Sequence, residues 1–270
     1  MTRSRPLPHS LTPPFAALER VGLRNQVYDL SVNEYEVAPS RWPKEWSGLR
    51  VAHITDVHHG RVLHDGYLQQ VRRALLRSKA DLIAFTGDFV STRRDLPQAF
   101  KWLEGLKAPL GVWAVLGNHE GWTDREAVEK GLRRARIRVL KNEAVFFRRK
   151  GSRLALLGAD DLWTGMKDEG KLQVRADARI LLAHQPDHFF LGKRLGVDLQ
   201  LSGHCHGGQV CMPGGRALVA PSRFGARYAS GFFQEGNSLM FVNRGVGAAP
   251  PFRLFCPPEL ALLTLRVPGE

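Results

Sequence analysis

The chain has 270 residues, 43% hydrophobic and 24% charged, which suits a globular protein with a sizeable core and excludes a disordered or fibrous one. The formal net charge of +13 favours anionic partners such as phosphorylated substrates, nucleic acid or an anionic membrane surface, without choosing among them. Three cysteines without a CxxC exclude a disulfide framework, and no apolar run approaches the ~18 residues of a membrane-spanning helix.

Residues 1–14 are rich in Pro, Ser, Thr and Arg and lack the apolar stretch of a secretory signal. Residues 1–24 are therefore expected to form a flexible arm with one short helix from Phe15 to Arg20, and residues 25–270 a single domain. The chain reads as cytoplasmic, with peripheral contact at the inner face of the membrane left open. Residues 26–37 alternate in part and predict an edge strand. Residues 49–55 predict a strand ending in Asp56-Val57-His58-His59-Gly60. A helix over 65–78 follows, with Tyr67, Leu68, Val71, Ala74 and Leu75 on one face, then a strand over 81–86 ending in Gly87-Asp88. After a helix over 97–106, a strand over 111–116 delivers Gly117-Asn118-His119-Glu120, and a helix over 124–135 closes this half.

Strand, polar tip and helix thus recur three times, which predicts a mainly parallel sheet with right-handed crossovers. The second half is richer in strand, at 136–140, 144–149, 153–159, 178–183 and 197–202, with a short helix near 187–193. A polar loop over 160–177 interrupts it, and short strands are expected near 209–212, 217–220, 239–243 and 259–266.

The strand tips carry Asp56, His58, Asp88, Asn118, His119, His184, His204 and His206. Carboxylates, an amide and imidazoles suit borderline-to-hard divalent ions such as Mn²⁺, Fe²⁺ or Zn²⁺ rather than a soft thiolate site. Asp-x-His and His-x-His on extended backbone would point both side chains to one side. Two cations about 4 Å apart need a carboxylate between them, and Asp88 is the candidate because Gly87 permits a sharp turn. Such a pair would activate a metal-bound hydroxide for attack on phosphorus, with His119 placed to protonate the leaving oxygen.

These blocks, Asp56-x-His58, Gly87-Asp88, Gly117-Asn118-His119-Glu120, His184 and Gly203-His204-x-His206, resemble the signature of calcineurin-like metallophosphoesterases. Gly207-Gly208-Gln209 and the tail from Arg244-Gly245 to Pro258-Glu259-Leu260 resemble a bacterial branch of small phosphoesterases. That branch often carries an N-terminal membrane anchor, which is not expected here. The resemblance implies an α/β fold with mixed sheets, a four-layer αββα sandwich. It implies a first metal on Asp56, His58 and His206, and a second on Asn118, His184 and His204. Asp88 would bridge them, and His119 would contact phosphate without binding metal. Mn²⁺ is the first choice, with Fe, Zn, Mg, Ni or Co as alternatives.

Cys205 stands where the branch usually has threonine and is expected to pack away from the metals. His59 is expected in a supporting or substrate-contacting place, and Glu120 either to orient His119 or to cap the next helix. His53 and His64 are not expected to be ligands. The implied activity is hydrolysis of a phosphodiester or pyrophosphate in a small anionic substrate, lipid-linked ones such as UDP-2,3-diacylglucosamine included. No obligate protein partner is evident. The alternatives are a nuclease acting on DNA or RNA and a non-catalytic metal-binding module.

Overall fold

The computed structural model describes residues 23–60, 63 and 65–270. Most of the expected N-terminal arm, with its helix at Phe15 to Arg20, lies outside the described residues, as does His64. In chain order the strands are β1 (Ser31–Val37), β2 (Leu49–Ile54), β3 (Leu82–Thr86), β4 (Val112–Val115), β5 (Arg138–Val139), β6 (Glu143–Arg149), β7 (Ser152–Gly158), β8 (Ala178–Leu182), β9 (Leu199–Ser202), β10 (Gly231–Glu235), β11 (Ser238–Val242) and β12 (Glu259–Leu265). The helices are α1 (Asp65–Arg77), α2 (Asn118–Thr123), α3 (Arg125–Arg134) and α4 (Phe189–Arg194).

The strands form two six-stranded sheets, ordered β1-β12-β2-β3-β4-β5 and β10-β11-β9-β8-β7-β6. The interior strands β3 and β4 are buried along their whole length, as continuous apolar runs require when both sheet faces are covered. The neighbours β2, β3 and β4 run parallel, as do β7, β8 and β9. β12 breaks the pattern: it enters between β1 and β2, parallel to the first and antiparallel to the second.

Three apolar clusters define the layers. Tyr67, Leu68, Val71 and Leu75 of α1, with Val128 and Leu132 of α3, cover Ile83, Phe85 and Ala114 on the outside of the first sheet. Leu68 and Leu132 are fully buried, each worth about 2 kcal/mol in apolar surface removed from water. Between the sheets, Val51, Leu82 and Trp113 meet Leu156, Ile180 and Phe241. Outside the second sheet, Leu157 and Leu181 pack under Leu191 of α4. The order is helix, sheet, sheet, helix, the four-layer sandwich expected.

Several elements differ from the sequence expectation. The helix over 97–106 is replaced by turns and a single 3₁₀ turn at Lys101–Leu103. Its buried residues Ala99, Trp102, Leu103 and Leu106 keep the i, i+3, i+4, i+7 spacing of a helical face, but the backbone bonds there join residues three apart, as from the Leu103 amide to the Phe100 carbonyl and from the Leu106 amide to the Leu103 carbonyl. The strands near 209–212 and 217–220 reduce to isolated bridges, Val210 with Leu254 and Cys211 with Ala217. β10 was not foreseen; its half-exposed Gly-Phe-Phe-Gln-Glu pairs along one edge with β11. α2 is an additional helix between β4 and the one expected over 124–135, and it begins at Asn118.

Asp56 follows β2, Asp88 follows β3, Asn118 follows β4, His184 follows β8 and His204 follows β9. Parallel strands from both sheets thus send their carboxyl ends to one rim, where open α/β sheets build sites.

Candidate metal centre

The backbone at this rim is unusual. Asp56, His58, Asp88, His204 and His206 all have positive φ, from 46° to 68°. Left-handed backbone costs a non-glycine residue roughly 1–2 kcal/mol, and such outliers collect at functional sites. The extended alternation expected at Asp56/His58 and His204/His206 is therefore not what aims these side chains. Tight left-handed turns immediately after the strands do so. Cys205, at φ −82°, sits between its two histidines and packs with Phe189, Ala220, Tyr228 and Met240. Gly87 has φ +93°, and a Cβ there would lie 2.5 Å from the Gly117 nitrogen and 2.8 Å from His184 Nδ1. The turn therefore needs glycine both for its conformation and for close approach.

Two groups of ligand atoms share Asp88. In each group, one atom per residue lies within 4.8 Å of the others: Asp56, His58, Asp88 and His206 in one, Asp88, His184 and His204 in the other. His58 Nε2 is 3.0 Å from His206 Nε2, and His206 Nε2 is 3.3 Å from Asp56 Oδ1. Asp88 Oδ2 lies 3.5 Å from His58 Nε2 and 3.3 Å from His184 Nε2, so one oxygen faces both groups. Asn118 Oδ1 joins the second group, 3.1 Å from His184 Nε2. The structure thus brings together all seven residues expected to bind metal.

The hydrogen bonds behind the ligands fix which ring atoms are free. His184 Nδ1 lies 2.7 Å from the Thr86 carbonyl and must donate to it, and His204 Nε2 must likewise donate to the Pro221 carbonyl at 2.7 Å. When neutral, both rings then turn a lone pair inward, His204 Nδ1 and His184 Nε2 standing 3.1 Å apart. With Asn118 Oδ1 and Asp88 Oδ2 this makes four acceptors around one point, an arrangement that calls for a positive charge. Backing a metal-binding imidazole with a carbonyl is the usual way its tautomer is set. The donor set fits a divalent cation.

Electrostatics make the same demand. Burial disfavours a charge on His58 and lowers it to about 3, the Asp88 carboxylate opposing, and burial lowers His204 to about 4. Burial also opposes ionisation of Asp56, yet the facing His206, with His184 and His58, holds its carboxyl well below the usual range. Asp88 is held below its usual range against burial in the same way, chiefly by His184. Burial works against a proton on His184, but Asp88 raises it to about 10. Two buried carboxylates are thus ionised and hold whatever positive charge is within reach.

The remaining predicted residues separate in role. The His119 amide donates to Asp88 Oδ1 at 3.0 Å, and its half-buried ring packs edge-on to His58 at 4.6 Å between centroids. His59 is buried, its amide bonded to the Phe89 carbonyl, and it does not line the cavity above the ligands. Glu120 is fully buried: Oε2 accepts the amides of Asp88 and Gly117, and Oε1 that of Phe89, all at 2.8 Å. It therefore caps its helix and also fastens the Asp88 turn to the Asn118 turn. Burial and then the Asp88 charge raise its carboxyl to about 8, while the amides oppose the rise.

Sequence reasoning missed other parts. Arg253 is fully buried, and its guanidinium donates to the carbonyls of His206 at 3.0 Å and Gly247 at 2.6 Å. Gly247 in turn donates to the Asp56 carbonyl at 2.7 Å, so Arg253 braces two ligand turns at once. A cavity of about 460 Å³ opens on Asp88, Asn118, His119, His204 and His206, with Trp122, Trp163 and Val219 in its wall. The two tryptophans were separated by forty residues of sequence, and no spacing rule joins them.

Comparison with known proteins agrees with this geometry. A model of the calcineurin-like phosphoesterase family matches residues 49–208. The metallophosphoesterase YkuE of Bacillus subtilis is 32% identical over 88% of this chain and 86% of its own length. The phosphodiesterase YaeI of Escherichia coli is 29% identical, covering 80% of this chain and 82% of its own. The UDP-2,3-diacylglucosamine pyrophosphatase LpxG of Chlamydia muridarum is 26% identical over 83% and 86%. Among solved structures, the sulfate thiohydrolase SoxB of Thermus thermophilus shares the fold at a TM-score of 0.50 and 14% identity; the match covers 79% of this chain and 53% of that one.

Proposed function

The chain belongs to the calcineurin-like phosphoesterase family and is a metal-dependent hydrolase of phosphoesters, and we propose that it cleaves phosphodiester or pyrophosphate bonds at a centre of two metal ions. The observation that carries this reading is the shared Asp88 Oδ2, facing His58 and His184 in two separate ligand groups. Asp56, His58 and His206 would hold one ion, Asn118, His184 and His204 the other, with Asp88 common to both. Mn²⁺ is our first assignment; Fe, Zn, Mg, Ni and Co suit the same donors. When bound, such ions supply Lewis acidity at phosphoryl oxygen and a water of near-neutral pKa.

The chain's own residues do the rest. Asp88 is fixed by Glu120 through its backbone, and by the His119 amide through its carboxylate. His119 reaches the cavity and would donate an imidazole proton to the leaving oxygen. The turns held by Thr86, Pro221 and Arg253 keep the ligand side chains oriented before substrate arrives, which is where preorganised sites gain rate.

Metal-stripped protein reloaded with Mn²⁺ should hydrolyse bis(4-nitrophenyl) phosphate, and elemental analysis should find two ions per chain. Folded protein inactive with every divalent ion would refute the reading. A lipid-linked pyrophosphate such as UDP-2,3-diacylglucosamine is a candidate substrate, supported by the LpxG relatives. The net charge of +13 is equally compatible with a second reading, a nuclease. A nuclease would bind DNA with a steep salt dependence, from several phosphate contacts at once.

A further inference from the structure

The metal centre accounts for the floor of the cavity but not for its wall. Trp122 and Trp163 line it, yet they remain 61% and 54% exposed. Their rings stack at 5.9 Å with 24° between planes. Trp122 lies 5.1 Å from the His119 ring, and Trp163 stands edge-on to His204 at 4.8 Å. A phosphoester seated over Asp88, His119 and His204 would therefore lie beside these indoles.

Both tryptophans are held in place. Trp122 belongs to α2, which also carries His119. The Trp163 loop is pinned by two buried carboxylates: Asp161 accepts the Trp163 amide at 3.0 Å and the Thr164 amide and hydroxyl, and Asp160 accepts the Met166 amide at 2.9 Å. Asp160 is itself paired with Arg125 of α3. Gly121 lets the two supports touch, since a Cβ there would overlap Thr164. Large apolar side chains that are ordered but left in solvent cost hydrophobic free energy, and rigid aromatic anchors of this kind mark binding surfaces.

The rest of the wall has the same character. Val219, Ala220, Pro221 and Ala249 are apolar, and the Gln209 amide is already used, donating to the Pro250 carbonyl at 3.0 Å and accepting from Ala249 at 2.9 Å. Beyond the ligands and His119, the wall offers little to a polar headgroup and much to an apolar one.

We propose that Trp122 and Trp163 form a fixed aromatic wall that binds the organic substituent of the phosphoester and selects esters bearing a large apolar group beside phosphorus. This rests on the phosphoesterase reading of the site. The apolar group could be planar, as an aryl ring, or flexible, as an alkyl or acyl chain, and both would stack or pack on indole faces.

The test compares methyl, phenyl and octyl 4-nitrophenyl phosphate on Mn²⁺-loaded protein, and measures binding of methyl-, phenyl- and octylphosphonate by tryptophan fluorescence. Wild type should favour the phenyl or octyl ester over the methyl ester by about tenfold or more in kcat/KM. The Trp122→Ala and Trp163→Ala variants should each lower that ratio severalfold, with the same loss in phosphonate selectivity, and Trp163→Phe should restore most of it. A phenyl preference without an octyl preference identifies a planar group; the reverse identifies a chain. A ratio near one in wild type, or unchanged in both alanine variants, overturns the proposal. If no ester is cleaved the phosphoesterase reading fails, while phosphonate selectivity still decides the wall.

Discussion

Glu120 accepts the Asp88 amide at 2.8 Å and does not reach the His119 ring beside it in sequence. Its carboxylate spans two turns, taking Asp88 and Phe89 on one and Gly117 on the other. Replacing it with Gln keeps the shape but turns one acceptor into a donor facing a buried N–H. Leaving such a donor unpaired costs about 1–3 kcal/mol. E120Q should lose stability of that size in urea and bind metal about ten- to a hundredfold more weakly, as loss of a ligand's support does. Wild-type metal affinity in E120Q would remove this role.

His119 contributes no ligand atom to either metal group, so H119A should keep its ions by elemental analysis. Turnover should fall by roughly 10²–10⁴-fold for alkyl leaving groups and much less for 4-nitrophenolate, which leaves without a proton. Equal losses across a series of leaving groups would exclude the proton-donor role.

Gly117 has φ −105°, so alanine there is not strained in backbone. Its Cβ would nevertheless overlap Asp88 Oδ1. G117A should therefore fold, by circular dichroism, yet lose metal occupancy and activity by more than about tenfold, since small displacements within an active site have costs of this order. Full occupancy would mean that the Asp88 turn has more room than its packing implies.

His53 is fully buried on β2, with Nε2 2.8 Å from the Thr86 hydroxyl. Burial lowers it to about 3, with Asp56 opposing. The unfolded chain takes up a proton below pH ~6.5 that the folded chain refuses, so stability is complete above that pH and falls on acidification towards pH 3. The slope from this one group is about 1.4 kcal/mol per pH unit. In urea titrations of metal-free protein at pH 7, 6 and 5, the gap between wild type and H53Q should shrink as pH falls. A constant gap would refute the linkage.

The layered fold and the convergence of the seven candidate ligands were legible because each lies just beyond an apolar strand, and strand ends in parallel sheets converge. What stayed hidden works through the backbone. Glu120 and Arg253 bind amides and carbonyls, which every residue has and no sequence pattern distinguishes. The left-handed turns at Asp56 and His206 were equally invisible, because neither residue type demands them. The 97–106 segment misled because its apolar residues 99, 102, 103 and 106 carry the helical spacing while its backbone closes turns of three residues. Trp122 and Trp163 meet only because the loop after β7 folds back over α2.

The place of β12 has a consequence for how the molecule comes into being. Leu262 and Leu263 register against Ala52 and Val51 on one side and Glu34 and Tyr35 on the other, so the first sheet has a gap until they arrive. On a ribosome, the segment bearing Asp56 and Asp88 is made long before the strand that completes its sheet. The first sheet, and with it the strand that carries Asp56 at its tip, is thus complete only after translation has passed Leu265.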